Sequence, residues 1–92
     1  MKTADLIAMV EAMADSVKCT AHVIDNGRDF TNFCISPHDE HARWAGDLRI
    51  HWSREAIAVT LEHSGPIGRR TVDNTEAGRE DLMQWLAIEL ED

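Results

Sequence analysis

The chain has few cysteines and no long hydrophobic run. Two cysteines are too few for a disulfide scaffold, and we expect Cys19 and Cys34 to be reduced thiols inside the cell. No apolar stretch approaches the ~20 residues that span a bilayer. The N-terminal segment is amphipathic and contains Asp5 and Glu11, which is not typical of a secretion signal. We therefore expect a cytoplasmic protein with no membrane partner.

Catalytic and nucleotide-binding motifs are also absent from the sequence. Neither GxxxxGK[ST] nor GxGxxG occurs, and no serine stands in a nucleophile-elbow context. Asp39 and Glu40 lie between His38 and His41, but nothing nearby supplies a nucleophile or a pocket. We expect no enzymatic activity, no cofactor and no small-molecule substrate.

Cysteines and histidines offer one metal-dependent alternative. Cys19-x2-His22 and Cys34-x3-His38-x2-His41 supply zinc-type ligands, and a structural site needs four that converge tetrahedrally. Cys19 and His22 are three residues apart on a predicted strand, so they point to opposite faces. We therefore favour two reduced thiols and a polar, histidine-rich turn, and a zinc-supported regulator is the alternative.

Cations are scarce, and their order along the chain is uneven. Nine Lys and Arg stand against 17 Asp and Glu, for a net charge of −8. Residues 1–40 carry −4 and residues 73–92 carry −6, but residues 41–72 carry +2. Arginine suits forked contacts with phosphate and carboxylate. The body is too acidic for nonspecific DNA binding. Two options stay open: mimicry of nucleic-acid charge toward a basic partner, or a local basic surface that grips an anionic partner.

Hydrophobic periodicity predicts the order α-β-β-β-β-α. Apolar residues at spacings of three and four indicate helices over about 4–17 and 76–90. Period-two alternation and the Asn26-Gly27 turn signal indicate strands between them. The predicted strands cover roughly 17–23, 29–36, 43–53 and 57–62. Residues 65–70, with two glycines and a proline, are predicted to be a loop, either a plain connection or a phosphate-contacting one.

These elements predict a single α+β domain over residues 1–92. Its four-stranded antiparallel sheet carries both helices on one face, because each helix has one apolar stripe to cover. The buried face is predicted to hold Trp44, Leu48, Ile50, Trp52, Ile57, Val59 and Leu61. The open face is predicted to hold Arg43, Arg49, His51, Thr60 and Glu62.

The arginines of the open face and the adjoining turns are the candidate partner-binding residues. Two are predicted on one strand, two at the sheet ends and two in the loop after the fourth strand. An ordinary solvated surface is the alternative interpretation, since exposed strands also carry arginine for solubility. The six candidates are Arg28, Arg43, Arg49, Arg54, Arg69 and Arg70.

The sequence predicts a small acidic domain with no active site, an αβ meander and self-contained caps such as Thr3 and Asn26-Gly27. In these features the chain resembles the small phage-encoded anti-CRISPR proteins. The resemblance is to inhibitors of type I-F surveillance complexes. It implies a stoichiometric, non-enzymatic inhibitor in the host bacterial cytoplasm. Such an inhibitor docks on the multisubunit Cas protein–guide RNA complex and blocks target DNA binding, and its arginines would contact guide RNA or acidic Cas surfaces. A small phage or bacterial adaptor that dimerises through the open sheet face is the alternative.

Overall fold

A computed structural model describes residues 2–39, 46–63 and 67–91. The fold consists of a sheet of five described strands, with one helix before it and one helix after it in the sequence. Every strand is antiparallel to its neighbours, and the order in the sheet is β1-β2-β3-β4-β5. The elements are α1 (Thr3–Ser16), β1 (Cys19–Asn26), β2 (Phe30–Pro37), β3 (Gly46–Trp52), β4 (Ala56–His63), β5 (Ile67–Asp73) and α2 (Glu76–Glu91).

Alternation along the strands sorts the sheet into an inner face and an outer face. In β2, Thr31, Phe33 and Ile35 are buried and point to the inner face. Both helices pack on the inner face and share one apolar cluster with it. The cluster includes Leu6, Val10, Phe33, Ile35, Leu48, Ile50, Ile57, Val59, Leu61, Leu82, Leu86 and Leu90.

The fifth strand corrects the predicted four-stranded sheet. The segment expected to be a loop continues as β5, and Ile57 pairs with Val72 in its register with β4. Its inward positions include Gly68 and Arg70, so the strand lacks the apolar alternation that marks β3 and β4. The ring of Trp85 lies over Gly68, where an added Cβ would come 3.2 Å from it. A helix residue thus supplies the apolar cover that the strand itself lacks.

The two helix starts use different caps. Helix α1 begins at Thr3 after Lys2, which makes no side-chain cap, so the predicted hydroxyl cap at Thr3 is wrong. Thr75 does cap α2, because its Oγ1 accepts a hydrogen bond from the Gly78 amide at 3.0 Å. This hydrogen bond satisfies one of the free amides of the first turn.

Both helices run in the same direction across the sheet. Each ends beside the start of β1, where Ser16 and Leu90 line one shared hollow with Pro37. At the opposite end lie the turns 27–29 and 53–55 and the connection 74–75, which we call the turn end. In the described ranges, no helix is long and apolar enough to cross a membrane.

Among the described residues, Thr31 is the one polar residue that is fully buried. Its Oγ1 is buried without a hydrogen-bond partner among the described residues. Because an unpaired buried hydroxyl is costly, Thr31→Val should raise the free energy of unfolding by about 1 kcal/mol. Thermal denaturation followed by circular dichroism would measure the gain.

Thr71→Val is the matched control, because Thr71 is an exposed strand residue on the outer face. It should change stability by less than about 0.5 kcal/mol. An equal gain in both variants would assign the effect to strand propensity, and a loss in Thr31→Val would contradict the prediction.

Candidate anion-binding surfaces

The structure divides the six candidate arginines among separate places. Arg49 and Arg69 lie on the outer face of the sheet, and Arg28 and Arg54 lie at the turn end. Arg70 lies on the inner face, and Arg43 lies outside the described residues. The open face predicted from the sequence is otherwise reproduced, because His51, Thr60 and Glu62 all have outward parity.

Cross-strand register brings the outer-face arginines into one row. Asn32 pairs with Arg49, Arg49 with Thr60, and Thr60 with Arg69. Neighbouring strands are about 4.8 Å apart, so the backbones carrying the two arginines are separated by ~10 Å. Both side chains are exposed, and neither forms an ion pair with a described residue. The same register continues from Asn32 to Asp25 in β1. We call the part that holds both arginines, Asn32, Arg49, Thr60 and Arg69, the basic row.

Two different rows flank the basic row on the outer face. On one side Asp47 pairs directly with Glu62, which places two carboxylates opposite each other. On the other side the Phe30 and His51 rings stack with centroids 5.8 Å apart. Facing like charges destabilise a sheet pair, so a cationic contact would relieve the carboxylate row. The outer face therefore offers an acidic, a basic and an aromatic strip side by side.

Arg70 belongs to the packing of α2 and is not free for a partner. Its Nη2 lies 2.7 Å from Asp81 Oδ2, and its Nε donates to the same oxygen at 3.2 Å. The two side chains are 39% and 50% exposed, so the ion pair is worth at most ~1 kcal/mol. Its position follows from the strand parity of β5, which turns Arg69 outward and Arg70 inward.

A hollow at the turn end brings three arginines together. Its volume is about 550 Å³, and it opens to solvent. Arg79 of α2 joins Arg28 and Arg54 there, although it stands alone among the acids of the last segment. In the sequence, the one indication of this position is the capping residue Thr75, which starts α2 four residues before Arg79. The hollow, which we call the arginine hollow, is lined by Arg28, Asp29, Trp52, Ser53, Arg54, Asn74 and Arg79.

Hydrogen bonds fix the floor of the arginine hollow. Arg79 Nη1 donates to Asn74 Oδ1 at 3.0 Å, and Asn74 Nδ2 donates to the Ser53 carbonyl at 2.7 Å. The amide of Asn74 donates to the Glu55 carbonyl at 2.9 Å. These bonds connect α2 to the turn between β3 and β4, so the Arg79 guanidinium is held in place.

The turn that carries Arg54 is held in a similar way. Ser53 Oγ accepts hydrogen bonds from the Glu55 amide at 3.3 Å and the Ala56 amide at 3.2 Å. The Trp52 amide donates to the Asp29 carbonyl at 3.0 Å, which ties the turn carrying Arg28 to this one. The backbone around the hollow is therefore preorganised, while the Arg28 and Arg54 side chains are exposed.

The thiols and histidines do not converge. Cys19 is buried on the inner face, whereas His22 is exposed and pairs with Cys34 on the outer face. His38 contacts Thr20 Oγ1 at 3.0 Å, and His41 lies outside the described residues. Within the part of the chain that the structure describes, no three His, Cys, Asp or Glu side chains cluster as metal ligands.

Comparisons of the chain with protein-family models, with curated proteins and with solved structures found no significant match.

The placement of the cysteines predicts a large difference in reactivity. Burial raises the pKa of the Cys19 thiol, which lowers its thiolate fraction, and its side chain is enclosed. Cys34 is only half-buried on the outer face. In the native protein an aromatic disulfide reagent should modify Cys34 at least ~100-fold faster than Cys19, which must wait for local opening.

Cys34→Ala and Cys19→Ala assign the two phases in an absorbance time course. The fast phase should vanish in Cys34→Ala and persist in Cys19→Ala, and denaturant should expose both thiols equally. Equal native rates, or an internal disulfide after mild oxidation, would contradict the opposite-face placement.

Proposed function

We propose that the protein is a non-enzymatic binding protein that grips an anionic partner through the outer face of its sheet. The observation that carries this proposal is the basic row. It holds two exposed arginines without described ion-pair partners on a face that no described element covers. Guanidinium groups that pair with no described carboxylate, in a chain of net charge −8, are available for an external anion.

The partner we propose is a Cas protein–guide RNA surveillance complex of type I-F, on which the protein blocks target DNA binding. Resemblance to the small anti-CRISPR proteins supports this partner. The charge layout supports it as well, because such a complex presents RNA phosphates beside cationic DNA-binding surfaces. The basic row suits the phosphates, and the facing pair Asp47 and Glu62 suits the cations.

A gel-shift of labelled target duplex by purified surveillance complex tests the proposal. Near-equimolar wild-type protein should abolish the shifted band. Arg49→Glu with Arg69→Glu should need at least about tenfold more protein for the same effect, because two charge-assisted contacts become repulsive. Both side chains are exposed, so circular dichroism should show an unchanged fold.

Lys2→Glu with Lys18→Glu is the matched control. It makes the same change in net charge at two exposed residues away from the outer face. This variant should inhibit like the wild type. Full inhibition by the arginine variant would remove the basic row from the interface. No inhibition by the wild type would refute the proposed block of DNA binding.

A second candidate function is an adaptor that dimerises through the same face. The observation that favours it is the adjacency of the Asp47–Glu62 pair to the basic row. A two-fold axis between these strips would place each acidic strip against the partner's basic strip. Five strands of about seven residues outline ~500 Å² per subunit, which is near the lower limit for a specific interface.

Sedimentation velocity across a micromolar concentration series distinguishes the two candidates. The adaptor predicts a dimer that dissociates as salt rises, because the paired strips are exposed charges. It also predicts a monomer for Arg49→Glu with Arg69→Glu. A monomeric wild type at every concentration would exclude the adaptor and leave the inhibitor.

A further inference from the structure

The arginine hollow is chemically distinct from the outer face and suggests a second site. Three arginines line it from separate elements: Arg28 from the β1–β2 turn, Arg54 from the β3–β4 turn and Arg79 from helix α2. No described ion pair involves Arg28, Arg54 or Arg79. The single acid in the lining is Asp29, so three arginines against one aspartate leave two net positive charges.

The charge of the hollow matches a phosphate ester better than a carboxylate. A phosphate monoester carries about −1.5 to −2 near neutral pH and presents three acceptor oxygens. Arginine forks contact several such oxygens at once. A single carboxylate would leave at least one of the three guanidinium groups without an anion.

The size and wall of the hollow indicate more than a bare ion. At about 550 Å³ it falls within the ~300–1,000 Å³ typical of small-molecule sites. The half-buried Trp52, which also packs against the core cluster, lines the hollow. An aromatic wall beside arginines suits a nucleobase, because bases stack on aromatic and guanidinium planes.

One arginine of the hollow is held in place, and the other two are exposed. Arg79 is half-buried and tied through Asn74 to the Ser53 carbonyl, so it costs little ordering on binding. Arg28 and Arg54 are exposed above it and have no described hydrogen bonds. The hollow thus combines one fixed cation with two exposed ones.

We propose that the arginine hollow binds the phosphate of a nucleotide, either free or within a single-stranded RNA. Arg79 anchors the phosphate, Arg28 and Arg54 close over it, and Trp52 forms the apolar wall for the base. This site does not depend on the partner proposed above, because it shares no residue with the basic row.

Chemical-shift titration of the ¹⁵N-labelled protein tests the site, with inorganic phosphate, uridine monophosphate, an RNA of about eight nucleotides and acetate as probes. The arginine Nε–H signals and the Trp52 indole signal should shift with phosphate and the nucleotide, and acetate should have little effect. Arg28→Gln with Arg54→Gln should weaken nucleotide binding by at least about tenfold. Both residues are exposed, and a dispersed spectrum confirms folding of the variant.

Lys18→Gln with Arg70→Gln is the control, since it removes two positive charges outside the hollow and should leave the dissociation constant within about twofold. If the RNA binds far more tightly than the mononucleotide, the ligand of the hollow is a single-stranded RNA. If the two affinities are equal, the ligand is a free nucleotide. Unchanged binding in the hollow variant, equal binding of acetate, or no response to any probe at about 10 mM would overturn the proposal.

Discussion

Burial of one face of a five-stranded sheet beneath two helices is the constraint on which the rest of this structure depends. The leucines of both helices and the inward side chains of β2, β3 and β4 form one apolar cluster. Because strand side chains alternate, a fixed inner face also fixes the outer one. Arg49 and Arg69 are far apart in sequence, yet the register through Thr60 puts them in one row. The charged surface is therefore a consequence of how the core is packed.

Where the core pattern was explicit, the fold could be predicted from the sequence. Leu48 and Ile50 mark β3, and the leucines of α2 mark a helix with one buried stripe. Strand β5 was missed because Gly68 and Arg70 occupy its inward positions, where an apolar residue would have revealed the alternation. Gly68 and Arg70 fit these inward positions because Trp85 of α2 lies over Gly68 and Asp81 of α2 pairs with Arg70. Both contacts form only after the chain has folded back. No local signal carries that information.

The candidate sites divide in the same way. Placing Arg28 and Arg54 at sheet ends followed from turn signals beside each residue, and both line the hollow. The glycines and proline of residues 65–70 predict a loop with Arg70 on a contact surface, whereas the parity of β5 turns Arg70 inward. Arg79 escaped notice because its helix is otherwise acidic on the exposed side. Its proximity to Arg54 requires the hydrogen bonds between Asn74 and the neighbouring turn. Convergence of this kind is a tertiary property.

The parallel course of α1 and α2 has an electrical consequence for the whole molecule. In most helical hairpins the two macrodipoles oppose each other, but here they add, with both positive poles at the turn end. At the other end, neither helix has a basic residue in its last turn, and α2 closes with Glu89 and Glu91. The protein therefore has a permanent moment along its helices. Within a Debye length of about 8 Å from a highly charged assembly, the field would exert a torque on this moment. The protein would therefore be oriented before it contacts the assembly.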